Sequence, residues 1–554
     1  MYAKPLTQPA QLTRSSNTAA TLILPLILAF GLFVRLYSVA FGLPGLNDPD
    51  ELTFELAAVK LLSKHTLNPG WFGHPATTTI YVLAVLNAVV FLTGRAAGWF
   101  SSPQAFADAI YADPSWVILP GRIAMVLFSV GAIYLTWRLA REFLGTRGGL
   151  LAAALLAISP VFVTWSQIIR SDVMACFFML LAMLAARRIA ESGRWRDHVL
   201  AALWVGAAMA TKWPYVLSAL AVIGVTALRL LEGTDRRRTL LQFLVFGGLS
   251  FCFLFLISPY LLIDHVTAYR NVLGEAQPRH LGATGGTPWA NALWYLSGPI
   301  ASGLGLVGLA LAAWGMGILA RNREALAIIC TVTLGFFVVL CLQHIVWERW
   351  VIALMPPLAI AAAAAMGQLL AQFELRLRSP RLGALGFLLL TLATFVPLAL
   401  QARADTRARL NDTRQLASRW AHDHVPAGST VLVEHFGFEM LPEPWELKFP
   451  FGDIGCVNVR DYLHGKVQLS TVEHGRGARS NVDYGTVAPA KRASCRTDFA
   501  ILTQADRYAA ERAVFPEEDA AYRELMARGT LVKTFAPQAG QIGGPTVRIV
   551  QFRR

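Results

Sequence analysis

The residues able to do chemistry gather at the ends of apolar stretches. Leu46-Asn47-Asp48-Pro49-Asp50-Glu51 sets three carboxylates around a proline. Pro49 stops the preceding residues from continuing as helix, so Asp50 falls near the start of a helix over 52–62. It either caps that helix or stands as a carboxylate able to take a proton. Arg170 and Asp172 join two apolar stretches in Ser166-Gln-Ile-Ile-Arg-Ser-Asp172. Arg170 either binds a phosphate or pairs with Asp172. Lys212 sits between two apolar segments and needs an anionic partner or a route to water. Glu348 and Arg349, flanked by Trp347 and Trp350, are either an interfacial ion pair or part of the same polar collection. His74, His265, Arg270 and His344 complete the set. Basic groups beside carboxylates at a membrane surface suit a lipid-linked phosphate, with a leaving group to stabilise and a nucleophile to activate. No P-loop, GxGxxG turn, HExxH or suitably placed Ser-His-Asp arrangement occurs, so ATP-driven chemistry is not indicated.

The elements that must position these residues follow from composition. Of 554 residues, 55% are hydrophobic and 15% charged, and mean hydropathy is +0.48. Soluble proteins carry about 25% charged residues, so one large soluble enzyme is excluded and a mainly α, polytopic membrane bundle is expected. Eleven spans are predicted, at 20–42, 122–141, 148–165, 173–190, 198–211, 214–230, 239–261, 293–319, 325–343, 351–372 and 382–401. The net charge of +14 lies largely in arginine clusters such as Arg187/Arg188/Arg194/Arg196 and Arg236/Arg237/Arg238, which mark cytoplasmic loops rather than nucleic-acid contacts. All the clusters face the cytoplasm only if the apolar stretch 76–90 does not cross. It is therefore expected in the interface, within a first external loop at 43–121. The apolar run after Ala20 is too long for the core of a cleavable leader. The chain is expected in a bacterial-type cytoplasmic membrane, with tail 1–19 cytoplasmic.

Residues 402–554 have a different composition and are expected as an extracytoplasmic α+β domain, large enough for its own core. An amphipathic helix is predicted over 405–424, a second over 517–528, and strands over 429–434, 467–472, 498–503, 530–535 and 546–552. Cys456 and Cys495 would share an oxidising compartment there, either bridged or as free thiols.

Between residues 20 and 401 the chain resembles the GT-C membrane glycosyltransferases of the family 39 type. That branch holds the protein O-mannosyltransferases and the aminoarabinose and galacturonic acid transferases of lipopolysaccharide. The matching elements are Pro49-Asp50-Glu51, His74-Pro75, Gly121-Arg122, Ser159-Pro160, Arg170-Ser-Asp172, Thr211-Lys212-Trp213 and Glu348-Arg349-Trp350 before Pro356-Pro357. The resemblance implies a polyprenyl-phosphate sugar donor, transfer on the extracytoplasmic face to a lipid, glycan or protein, and Asp50 as the catalytic carboxylate. Thr53-Phe54 stands where the aminoarabinose transferases have Arg-Tyr, and His74-Pro75 where they have Lys-Pro; sugar and acceptor stay unassigned. Gly543-Gly544-Pro545 before the last strand is also of a kind familiar in this group.

On this reading Asp50 is the base, with Glu51 or Asp172 orienting it or the acceptor, and direct attack inverts the anomeric carbon. Arg170, Lys212, Arg270 and Arg349 would hold the donor phosphate, and His74, His265, His344 and Glu348 would contact substrate. No cofactor is obligatory; a divalent metal, if used, would sit on Asp48, Asp50 and Asp172. Two rivals remain. A transporter or flippase would place ionisable groups near the midplane and often shows inverted repeats. A non-catalytic scaffold would tolerate substitution of its charged loops.

Overall fold

The computed structural model describes residues 15–275, 277–377, 380–434, 437–463 and 483–553. The predicted strand 467–472 lies outside them. Among the described residues nine helices have the length and apolar composition to cross a membrane. The eleven predicted spans map onto them with three differences. Spans 122–141 and 148–165 fall in one element, α5, broken at Gly145, whose φ of 70° lies in the left-handed region. The span predicted at 20–42 is helix α1, Ser15–Leu36, of 22 residues, and that at 198–211 is α8, Trp195–Thr211, of 17, which is shorter than a full crossing length. Thr77–Ala96, helix α3, does have that length.

In order, the first half contains α1, α2 (Pro49–Ser63), α3, α4 (Pro103–Ala112), α5 (Ser115–Ile158), α6 (Pro160–Ser166), α7 (Ser171–Ser192) and α8. A 3₁₀ turn at Trp213–Ala219 leads into α9 (Leu220–Leu231), and α10 is Arg236–Ile257. Both ends of α3 are tied to the same face of the bundle. At its start the Ala76 amide donates to the Thr211 carbonyl, and Thr77 bonds Ser258 at the end of α10. At its finish Gly94 lies on Phe100, which packs edge-on against Trp116 in the first turn of α5. Further down that same helix Gly121 meets Leu83 of α3 and Glu55 of α2. Helices α2 to α4 therefore form a collar around one end of the bundle. The largest apolar core runs from Ala132 through Leu398 and takes in Phe72 from the loop after α2, and a smaller one, including Phe54, Ile80 and Ile118, fills the collar.

The last long helix, Pro380–Leu410, runs on into what was predicted as an amphipathic helix at 405–424. That prediction is corrected to two helices, because the Asp412 carboxylate caps a new one at Thr413–His424. Beyond it stands a six-stranded sheet of β1 (Thr430–Val433), β2 (Glu446–Pro450), β3 (Cys456–Asn458), β4 (Phe499–Leu502), β5 (Gly529–Phe535) and β6 (Val547–Phe552). Its order is β3-β2-β1-β4-β6-β5; β1 is parallel to β2 and β4, and the other pairings are antiparallel. Alternation along the strands builds two cores. Val431, Val433, Phe499 and Ile501 face Thr413–His424, whereas Leu432, Ala500 and Leu502 face Tyr508, Tyr522 and Leu525. Cys456 and Cys495 are joined by a disulfide.

Candidate active site

Asp48 caps α2 by accepting from the Asp50 amide at 3.1 Å, with Pro49 in the first helical position. Both carboxylates then turn to Arg170, in the bend between α6 and α7. Its Nη2 donates to both Asp48 oxygens at 2.9 and 3.0 Å, and its Nη1 donates to Asp50. Arg170 is buried, but half of the Asp50 side chain stays open. One residue on, Glu51 faces the opposite way. It is fully buried and takes Nε and Nη2 of Arg122 at 2.8 and 2.7 Å and the Ile169 amide at 2.9 Å. Arg122 also holds the carbonyls of Val39 and Phe41, both at 2.8 Å. Glu51, expected to orient the base or the acceptor, is held on the side away from Arg170 and ties α2 to α5 through Arg122.

At the start of α7, Asp172 binds the Lys212 ammonium at 2.6 Å, both groups buried. Tyr215 donates to the Asp172 carbonyl at 3.0 Å. Pro75 bridges Lys212, and the Trp213 amide donates to the His74 carbonyl at 2.7 Å, which brings the His74 loop over the site. The His74 ring lies 5.0 Å from Trp71 and 3.5 Å from the Ser171 hydroxyl. Arg349, in the 3₁₀ turn Glu348–Ala353, is buried over Trp347 at 4.1 Å. No described carboxylate lies within ion-pair distance of it. Among the described residues, Nε of Arg349, Nε of Arg170 and Oδ2 of Asp172 are buried without a hydrogen-bond partner. Such atoms are costly to leave unmade and mark places where a bound group would be satisfied.

Electrostatics tie the cluster together. Burial alone would raise the Asp50 carboxyl, but the charges of Arg170 and Arg349 outweigh it and hold it down at about 2. Burial, with the neighbouring Lys212, Arg349 and Arg170, pushes His74 well below its usual range, so the ring is neutral at pH 7. Two further groups join here, of which Glu275 was missed in the sequence. Glu275, closing the helix His265–Glu275, lies against Gly73, and its carboxyl is raised by burial and by the Asp50 charge. His280 packs edge-on against Trp347 at 4.9 Å and is pushed down by burial. Neither stands in a recognisable motif.

Other expected residues lie elsewhere. His265, Arg270 and His344 are exposed. Glu348 points away from Arg349 and lines a separate cavity of about 590 Å³ with Trp294, Ser297, Gly298, Pro397 and Gln401. Of the suggested metal ligands, Asp48 and Asp50 share Arg170 and Asp172 holds Lys212. Among the described residues no group of three or more His, Cys, Asp or Glu side chains is arranged to hold a metal ion.

The site can therefore bind an anion beside an open carboxylate. A family model described as dolichyl-phosphate-mannose-protein mannosyltransferase matches residues 99–263, under a third of the chain. No curated protein matches the sequence significantly. ArnT from Cupriavidus metallidurans in the apo state is similar with a TM-score of 0.52 at 14% identity, over 96% of this chain and 98% of that one. The apo oligosaccharyltransferase of Archaeoglobus fulgidus gives 0.54 at 14% identity, over 92% and 73%. AglB from the same organism, in complex with an inhibitory peptide and a dolichol-phosphate, gives 0.52 at 13% identity, over 97% and 74%. Likeness at these identities is likeness of fold: this multi-pass membrane chain shares the fold of these solved membrane proteins.

Proposed function

We propose that the protein moves a sugar from a polyprenyl-phosphate donor to an extracytoplasmic lipid, glycan or protein, with inversion and with Asp50 as the base. The observation that carries this reading is the half-open Asp50 carboxylate beside three buried cations, Arg170, Lys212 and Arg349, two of which keep an unpartnered N–H. The dolichol-phosphate in the AglB complex supports the donor class.

Arg349, free of any described carboxylate, receives the donor phosphate first. The phosphate then competes for Arg170, which loosens its hold on Asp50 and makes that carboxylate more basic. The acceptor oxygen attacks the anomeric carbon as its proton passes to Asp50. The bond from that carbon to the phosphate oxygen breaks, and its electron pair leaves on polyprenyl phosphate. That departing charge needs cations rather than a general acid. Because Arg170 and Lys212 already occupy the carboxylates a metal would use, the reaction needs no divalent ion. Arg270, His265 and His344 are exposed and are assigned to the acceptor rather than to the phosphate. The site end of the bundle and the C-terminal domain face the extracytoplasmic side of a bacterial-type inner membrane, with the N-terminus cytoplasmic.

The test is purified protein in nanodiscs, offered undecaprenyl-phosphate mannose, aminoarabinose and galacturonic acid in turn with an envelope extract. Release of undecaprenyl phosphate from one donor, dependent on the extract and lost in Asp50→Asn, is expected. Undiminished release by Asp50→Asn removes Asp50 from the mechanism. No release from any of the three overturns the donor assignment.

A further inference from the structure

The sheet domain grips the loop that carries Asp50. Asn47 is buried, and its side chain forms a cyclic amide pair with Gln415. Asn47 Nδ2 donates to Gln415 Oε1 at 2.9 Å, and Gln415 Nε2 donates to Asn47 Oδ1 at 2.6 Å. Arg414 Nη1 donates to the Asn47 carbonyl at 2.5 Å. The other edge of that guanidinium is held by Asp412, with Nε at 2.9 Å and Nη2 at 2.7 Å. Beside these contacts Glu439 lies against Gly45 and accepts from Ser418 at 2.6 Å.

Asp412 is fixed from behind. The Thr413 amide donates to the Gly543 carbonyl at 3.0 Å, and the Thr413 hydroxyl to the Pro545 carbonyl at 2.6 Å. Gly544 has φ 88°, and a Cβ there would come within 2.4 Å of Asp412 Oδ1. The Gly543-Gly544-Pro545 run thus finds a use that the proposed reaction leaves open. An unbroken series of contacts leads from it through Asp412 and Arg414 to Asn47. Asp48, the next residue, holds both Arg170 and the first turn of α2. A fixed loop matters here because misplacing a reacting group by about 1 Å costs on the order of 100-fold in rate.

We infer that the C-terminal domain is a positioning clasp for the Asp48–Asp50 loop, with Arg414 and Gln415 as positioning residues and Gly543-Gly544-Pro545 as their anchor. The rate effects rest on the reading of Asp50 given above; the clasp itself does not. Asn47→Ala, Gln415→Ala and the remote Gly544→Ala should each lower kcat about 10- to 100-fold with little change in KM; Gly544→Ala, which adds a Cβ at φ 88°, should also lower the thermal midpoint. The Asn47→Ala/Gln415→Ala double variant should be no worse than either single, because both break one interaction. The swap Asn47→Gln/Gln415→Asn should recover activity by restoring the amide pair. Hydrogen exchange needs no substrate. The Asp50 and Ile169 amides should exchange at least tenfold faster in Arg414→Ala than in wild type. Unchanged exchange overturns the clasp whatever the turnover data show. Faster exchange with wild-type kcat overturns its catalytic part. An inactive Asp50→Asn beside fully active clasp variants spares the proposed reaction and sinks only the catalytic part of the clasp.

Discussion

Removing Glu51 should damage the fold before it damages the chemistry. Glu51 and Arg122 are both fully buried and meet through two bonds of 2.8 and 2.7 Å. Truncating Glu51 to alanine leaves a guanidinium in the collar with only the two carbonyls of Val39 and Phe41. Stranding one member of a buried pair costs about 3–5 kcal/mol. The Ile169 amide, bonded at 2.9 Å, loses its acceptor too, adding roughly 1–3 kcal/mol if it finds no other. Unfolding of a membrane bundle is seldom reversible, so the assay is the inactivation half-life or apparent midpoint in one detergent, read by monodispersity on size exclusion. Glu51→Ala should fall far below wild type. Asp50→Asn should stay close to it, since Asp48 still holds Arg170. Replacing both partners by apolar residues, Glu51→Leu with Arg122→Met, should recover most of the loss. A Glu51→Ala protein as stable as wild type would refute the argument, as would a double variant no better than the single.

Three further expectations follow from the same contacts. With Asp50 as the proposed base, held at about 2 by Arg170 and Arg349 against burial, kcat/KM should be flat from pH 4 to 7 in wild type and the residual kcat/KM of Arg170→Met should fall towards pH 4; a flat variant profile would contradict this. Asp483 is pushed up to about 8 by burial and by the neighbouring Glu434. The folded state therefore keeps a proton that the unfolded chain loses near pH 4, so stability of the sheet domain should fall as pH rises from 4 to 8, and Asp483→Asn should flatten that slope; an equal slope would argue against it. The Cys456–Cys495 bond spans 39 residues, and its reduction should cost about 4 kcal/mol by the chain-entropy relation, seen as a lower midpoint with dithiothreitol that a Cys456→Ser/Cys495→Ser protein no longer shows.

Much of the fold was legible because apolar composition over about 20 residues has few other uses. The charge at Arg138, Arg141 and Arg147 marks a loop between two spans, whereas in the structure helix continues on both sides of Gly145. Strands β2 and β3 were missed: Glu446–Pro450 alternates poorly and ends in proline, which reads as a loop. The split at Asp412 had a signal, an Asn-Asp pair before a threonine, that the amphipathic pattern overrode. Within the site, Asp50, Arg170, Lys212 and Arg349 converge because each ends an apolar stretch at the same face. Asp50 and Glu51 diverge because successive helical residues point about 100° apart. Adjacency in sequence therefore made them partners on paper and separated them in space. The placement of Arg270, His265 and Glu275 depends on how the helix His265–Glu275 lies over the collar, which no local pattern encodes.

The account stands most directly on whether Arg170, Lys212 and Arg349 together hold a lipid phosphate. Titration of undecaprenyl phosphate into wild type and into Arg170→Met, Lys212→Met and Arg349→Met, in the same detergent, measures it. A charged hydrogen bond contributes about 1.5–3 kcal/mol, so each variant should bind roughly 10- to 100-fold more weakly, with Arg349→Met retaining wild-type stability. Wild-type affinity in all three would contradict the account.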